Sequence, residues 1–319
     1  MPPADRKNPK RVDSSDSRYS LREFLAEYPA DESCLVALWR ERYSPDGEHA
    51  YCGRCEEDRP FKRYETSQQR QSWTCTVCGH HVHPTAGTIF HKSSSGLHQW
   101  FYCMYLMTST RCGISAKQVE RELGCAYKTA LRMMRLIRTH LMDQDDDEPL
   151  AGSVEVDETY MGGRARQWPR QSKEYHRSQK HPVLGMVERG GSVRAEVLPT
   201  RGGASAGDVR PRVLENIKGG SHLYTDESGL YFGMDGLYKH RAIRHADRVY
   251  VSGDTHTQTI EGFFATLKNG MRGVFHGVSR RWLQSYLNEY VFRYNHREGP
   301  DPFKVLVALA ARPVTPSGA

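Results

Sequence analysis

No stretch of this chain is apolar enough for long enough to cross a bilayer. The longest such run, Leu97 to Met107 (LHQWFYCMYLM), has 11 residues, where a spanning helix needs about 20. The N-terminus carries no signal-peptide pattern, which predicts a cytoplasmic protein, nucleoid-associated when bound to DNA. Self-similarity at solenoid periods is missing too, and the only low-complexity run is DQDDDE, Asp143 to Glu148. Large apolar side chains are nearly absent from the first 17 residues, so a basic arm over 1–18 has nothing to bury and is expected to be disordered. The charge of +7 leans basic, which is compatible with nucleic acid without requiring it. Eight cysteines in a chain of 319 residues without an export pattern are expected as reduced thiols, and close pairs among them point to metal rather than to disulfides.

The length allows two or more domains. Ser20 and Glu23 make a capping box ahead of Leu21, Phe24 and Leu25, and a second periodic segment follows over about 31–42, so two short helices fill 19–47. A zinc ribbon is expected over 48–90. Cys52 and Cys55 form one C-x-x-C knuckle, and after a loop of 19 residues Cys75 and Cys78 form another. Four thiolates aimed at one point suit a single tetrahedral Zn²⁺, and with every position taken by sulfur that ion is structural. Its binding would supply folding free energy on the order of 10 kcal/mol. His80, His81, His83 and His91 lie close by and read as surface or DNA-facing residues. Cys34, Cys103, Cys112 and Cys125 lack a paired spacing and read as small buried hydrophobes.

Residues 91–142 contain a helix-turn-helix pattern. Ser115 and Gln118 form a second capping box, Val119 and Leu123 mark one face, and Gly124 breaks the helix. The following helix turns Ala130, Met134 and Ile137 inward and presents Tyr127, Lys128, Thr129 and Arg132 outward, a set suited to phosphates and base edges. The acidic stretch 143–150 then reads as a linker to a catalytic domain over 151–310, followed by a tail over 311–319.

That C-terminal half alternates strand and helix signals. Strands are expected at SVEVDETYMGG (Ser153 to Gly163), HPVLGMVERGG, SVRAEVLPT, SHLYTDES and DRVYVSGDTH, with helices at ASAGDVRPRVLENIKGG and TIEGFFATLKNGMRG. This is a mixed α/β sheet. Asp157 lies near the end of the first strand, Asp226 ends LYTD, and Glu261, separated from it by 34 residues, lies in the first turn of a helix. Lys268 stands two turns beyond Glu261 on the same face, in reach of a phosphate. Like carboxylates side by side need a cation, a basic partner or solvent to offset them.

The order of elements resembles the ribonuclease H-like domain of DDE transposases. VDETYMGG, TDES, HTQTIEGFFATLK and LQSYLNEYVFRYNHR together are similar to bacterial insertion-sequence transposases that carry an N-terminal zinc ribbon, the group related to Merlin elements. TAGTIFH and the YKTALRM helix fit the same layout, so the similarity runs from about Ser20 to Leu309. The resemblance implies that Asp157, Asp226 and Glu261 hold two divalent ions, normally Mg²⁺ with Mn²⁺ as the substitute, and that Lys268 belongs to the signature. Two hard cations suit in-line displacement at phosphorus because they stabilise both the attacking and the leaving oxygen. It further implies binding of the element's terminal inverted repeats and of target DNA, cleavage of the ends, joining of 3′-hydroxyls, and a homodimer or larger assembly on DNA.

Glu155 shares the strand face of Asp157 and is a lesser metal candidate, whereas Glu158 points to the other face or the strand end, with a local hydrogen-bonding role. His256 is placed to position DNA or a metal-bound water. Related sequences more often carry Asn where Gln258 stands and Trp where Phe264 stands. Between Gly163 and Pro182, Arg164, Arg166, Arg170 and Lys173 are interleaved with Trp168 and Tyr175 in a basic loop that suits DNA. Leu283, Leu287, Tyr290 and Tyr294 form a helical stripe read as core bracing the site, leaving Arg280, Arg281 and Arg297 for DNA. Two other readings fit part of the pattern: a DNA-binding regulator without catalysis, and a ribonuclease H-like nuclease that cuts without joining.

Overall fold

The computed structural model describes residues 19–65, 71–143, 148–162, 180–226, 228–243 and 256–314. The expected arm over 1–18 lies outside them, as do most of the acidic stretch and residues 315–319 of the tail. The chain forms two compact units, one of residues 1–111 with 296–319 and one of residues 112–295. Asp143 and residues 148–150, the described parts of the stretch expected as an interdomain linker, fall within the second unit.

In the first unit, α1 (Leu21–Glu27) starts at Ser20, whose hydroxyl accepts the Glu23 N–H while the Glu23 carboxylate accepts the Ser20 N–H. The predicted capping box is present. Helix α2 (Asp31–Arg42) packs its Leu35 and Trp39 against a four-stranded antiparallel sheet of β1 (His49–Cys52), β2 (Glu57–Glu65), β3 (Gln71–Cys75) and β4 (His81–Val82). Trp39 and Trp73 stack with ring centroids 4.7 Å apart and form the middle of that small core. Helices α3 (Leu97–Ser109) and α9 (Pro302–Ala310) complete the unit around Phe24, Phe101 and Phe303, with Asp301 capping α9.

The second unit opens with α4 (Ala116–Leu123) and α5 (Tyr127–His140). Ser115 caps α4 as predicted, but the Gln118 side chain bonds Glu122 instead of reaching back, so the box is only half made. Gly124 ends the helix at φ +60°, the left-handed conformation the turn requires.

A five-stranded sheet follows, of β5 (Ser153–Met161), β6 (His181–Glu188), β7 (Val193–Val197), β8 (His222–Asp226) and β9 (Lys239–Ile243). Its order is β7-β6-β5-β8-β9. The first three strands are antiparallel to their neighbours in a meander, and β8 and β9 run parallel to β5. This is the predicted mixed sheet. One strand differs: β9 occupies KHRAI, which sequence reading passed over, while the expected strand over 247–256 lies outside the described residues except for His256. The basic first three residues of KHRAI and its break in alternation hide the strand signal.

Both faces of the sheet are covered, which is why β6 reads as an apolar run. On one face Val154, Val156, Leu184 and Met186 pack against Val209 and Val213 of α6 (Ala206–Asn216). On the other, Val183 and Val187 pack against Ile260, Phe264 and Leu267 of α7 (Gln258–Gly273), and this layer continues into Leu283, Leu287 and Tyr290 of α8 (Arg280–Asn295). Gly185 faces α7, and a Cβ there would lie 2.6 Å from Phe264 and 2.7 Å from Ile260, so the helix can approach β6 only because that residue is glycine. Along the outer edge of β7 the side-chain amides of α8 take the place of a further strand. Asn295 accepts the Val193 N–H and donates to its carbonyl, and Gln284 accepts the Val197 N–H and donates to the Ala195 carbonyl.

Candidate active site and metal centre

Strand register places the first acids. β5 and β8 pair in parallel with Glu155 opposite Tyr224, and two residues further along Asp157 comes abreast of Asp226, the last residue of β8. Because β8 stops there, the next residue of β5 is no longer walled off from that end. Glu158 leaves the α6 face, yet one oxygen each from Asp157, Glu158 and Asp226 lie within 4.8 Å of one another. The Tyr231 hydroxyl, buried, donates to the Glu158 carboxylate. In place of the local hydrogen bond expected of it, Glu158 takes one from Tyr231, 73 positions on, and joins the acidic cluster.

Glu261 sits in the first turn of α7 as predicted and is exposed; its carboxylate accepts from the Thr257 hydroxyl at 3.0 Å and stands outside the tight group of three. Its charge still reaches Asp157. Burial, followed by the negative charges of Asp226 and Glu261, pushes the Asp157 carboxyl up to about 6, even though the Glu158 N–H bonds it at 2.8 Å and Lys268 favours its ionised form. Burial likewise pushes Glu158 up to about 7, with the Tyr231 hydroxyl opposing the shift. Lys268 is half-buried, its ammonium 5.9 Å from the Phe264 ring; burial and Arg272 lower its pKa while Asp157 and Glu261 hold it up. The acids repel one another and their oxygens are hard donors, so the donor set fits Mg²⁺ or Mn²⁺.

Glu155 has a different role from the one considered for it. It is fully buried, and its oxygens accept from the Thr259 N–H (2.8 Å), the Thr259 hydroxyl (2.9 Å) and the Ile260 N–H (3.0 Å), while Arg189 Nε donates to it at 2.7 Å. A carboxylate so engaged caps the N-terminus of α7. Arg189 also donates to the His256 carbonyl and lies 4.2 Å from the Tyr224 ring. His256 Nδ1 stands 3.2 Å from Glu155, outside hydrogen-bond geometry.

Residues 149–295 match the ISXO2-like transposase domain. That stretch of the second unit is similar to a transposase domain. A protein of the transposable element ISH50 from Halobacterium salinarum is 26% identical over 306 residues, spanning 91% of this chain and 99% of that one. A solved pre-cleavage Mos1 transpososome is similar at a TM-score of 0.26 and 11% identity, covering 62% of this chain and 75% of that chain, a likeness too distant to carry weight. The resemblance to insertion-sequence transposases drawn from sequence motifs holds.

The match begins just ahead of β5 and ends with the last residue of α8, so the matched stretch takes in the sheet and α6 to α8. The α4–α5 hairpin precedes it. On α5, Lys128 and Arg132 are exposed, Tyr127 is 40% exposed and Thr129 is half-buried, so this set does face outward. Arg164, Arg166, Arg170 and Lys173 of the basic loop lie outside the described residues. Arg280 is engaged with the Pro199 carbonyl and Arg281 lies 5.1 Å from the Trp282 ring. In the first unit, one sulfur each from Cys52, Cys55, Cys75 and Cys78 lie within 4.8 Å of one another, with Cys52 and Cys78 3.5 Å apart, a donor set that fits one Zn²⁺. Cys34 and Cys103 are buried as expected, whereas Cys112 and Cys125 are only half-buried, because they occupy the chain turns at either end of α4. Among the described residues, no helix is long and apolar enough to cross a membrane.

Proposed function

We propose that this chain is an insertion-sequence transposase that binds the terminal inverted repeats of its element, cleaves the element ends by metal-dependent phosphodiester hydrolysis, and joins the 3′-hydroxyl ends to target DNA. The carrying observation is the alignment of Asp157 with Asp226 on adjacent parallel strands of the mixed sheet, with Glu261 and Lys268 on the helix that covers the same face. Asp157, Asp226 and Glu261 would hold the divalent ions, with Glu158 close enough to contribute. When bound, such ions activate the attacking hydroxyl or water and neutralise charge on the leaving oxygen.

The protein's own residues set the geometry. Glu155 and Arg189 fix the start of α7 and so the direction in which Glu261 leaves it. Lys268, two turns on, is a cation in reach of a phosphate of the cut strand. Tyr127, Lys128, Thr129 and Arg132 of the hairpin contact the ends, the basic loop over 163–179 contacts the backbone near the cut, and the ribbon with its Zn²⁺ adds to end recognition. Joining two ends requires at least a dimer on DNA.

Strand transfer on a pre-cleaved end with Mg²⁺, by the wild type beside Asp157→Ala, tests the reading. Joined product that disappears in the variant is the expected result. Nicking without joining would replace the transposase with a nuclease, and binding without either reaction would replace it with a regulator.

A further inference from the structure

Helix α5 is held to the second unit by more than chain connectivity. Its inward face ends in Arg138, a guanidinium with no exposure to solvent. Arg138 Nε donates to Glu289 of α8 at 2.6 Å, and the other Glu289 oxygen accepts from Arg293, so two cations share one fully buried carboxylate. Arg138 also stacks 4.0 Å over the Tyr286 ring, and one turn earlier Arg135 lies 4.1 Å over Trp282.

Ties at both ends of the hairpin repeat the attachment. The Tyr290 hydroxyl donates to the Cys112 carbonyl at 2.7 Å, just before α4, and Asn288 donates to Asp143 at 2.7 Å, just after α5. Gly113 and Gly270 leave room for this: a Cβ on Gly113 would lie 2.9 Å from Phe275, and one on Gly270 would collide with the Tyr290 hydroxyl. Helix α8 is in turn bonded along β7 through Gln284 and Asn295, and Tyr294 meets Phe263 of α7 edge-on at 5.7 Å. The hairpin is therefore continuous with the sheet that carries Asp157 and with the helix that carries Glu261.

We propose that Arg138, Glu289 and Arg293 are positioning residues that lock the α4–α5 hairpin to the catalytic sheet, so that the hairpin's contact with an element end fixes the nucleotide at which the active site cuts. The inference rests on the transposase reading for its DNA consequence, but the lock itself does not. A tethered reader would let the cut wander with linker length. A locked reader makes the spacing between recognition and cleavage a property of packed side chains.

The test has two arms on the full-length protein. In hydrogen exchange without DNA, α5 amides should be as slow as those of α8, and Tyr290→Phe and Glu289→Gln should speed α5 at least tenfold while β5 and β8 hold their rates; Tyr290→Phe removes one hydroxyl and keeps the result informative should the Gln variant not fold. An α5 that exchanges far faster than α8 in the wild type overturns the lock. On end DNA with Mg²⁺, four Gly/Ser residues inserted between Asp145 and Asp146 should leave the cut at the same nucleotide, whereas Tyr290→Phe should spread it over several. A cut that shifts with the insertion overturns the inference while leaving the transposase reading intact. A wild type that never cuts its ends overturns that reading instead, and the exchange arm then decides the lock alone.

Discussion

Glu155 and Asp157 lie two residues apart on the same face of β5, and their neutral amide variants should move stability in opposite directions. Glu155→Gln removes the charge from a fully buried carboxylate that accepts two backbone N–H groups and an arginine. Breaking a buried pair in this way costs about 3–5 kcal/mol, which for a unit of this size lowers Tm by roughly 10 °C. Asp157 is the reverse case. With its pKa raised to about 6, its ionised form at pH 8 is disfavoured in the fold, and 1.36 kcal/mol for each pKa unit places the cost near 3 kcal/mol. Asp157→Asn should therefore stabilise the metal-free protein by up to about that amount while abolishing the rise in Tm on adding Mg²⁺.

The pH dependence follows from the same sign. A carboxyl whose pKa is raised on folding favours the folded state where it is protonated, so in EDTA this contribution is complete near pH 4 and is lost as pH climbs through about 6 and 7, the values of Asp157 and Glu158. Thermal melts of wild type and both variants in EDTA and in Mg²⁺, at pH 5.5 and 8, read all of this. If Glu155→Gln melted within a degree of wild type yet lost its response to Mg²⁺, Glu155 would be a metal ligand and its assignment as the cap of α7 would be wrong.

Three other outcomes are expected. Glu261→Gln should abolish end cleavage and leave end binding, measured by gel shift, within about twofold, since it removes a metal ligand and no DNA anchor; an equal loss of binding would contradict its role. Cys75→Ser should cut the zinc content per chain to well below one by metal analysis and weaken end recognition, because three thiolates no longer close the tetrahedral site. Gly185→Ala should push α7 off β6, costing about 1–3 kcal/mol by chemical denaturation and weakening Mg²⁺ binding through the displaced Glu261; unchanged stability would mean that Phe264 and Ile260 yield without cost.

What sequence could convey was local chemistry. The knuckles of Cys52 with Cys55 and of Cys75 with Cys78, the capping of α1, and acids at the ends of strands are all written in spacings of a few residues, and the structure brings those groups together. Glu155 was misjudged because nothing within β5 separates it from Asp157. The difference lies in the start of α7, more than a hundred residues away, whose N–H groups reach one carboxylate and not the other. Glu158 was underrated because a strict alternation of faces assumes a neighbouring strand, and β8 ends at Asp226. The packing of α5 was hidden for a similar reason: Arg138 meets Glu289 across 151 positions of sequence, a partner no local pattern announces.

The amides that α8 lays along β7 have a consequence for how this sheet can grow. An edge strand ordinarily offers a row of unused donors and acceptors to any extended peptide, including an unfolded copy of the same chain. Here Gln284 and Asn295 have already claimed those groups with side chains that cannot propagate a ladder, because a helix has no further edge to offer. Within the described sheet, lengthening by strand addition is thereby barred on the β7 side and left to β9 alone. A sheet with one blunt side can add a strand in a single direction only, so two copies meeting side by side do not present two complementary edges.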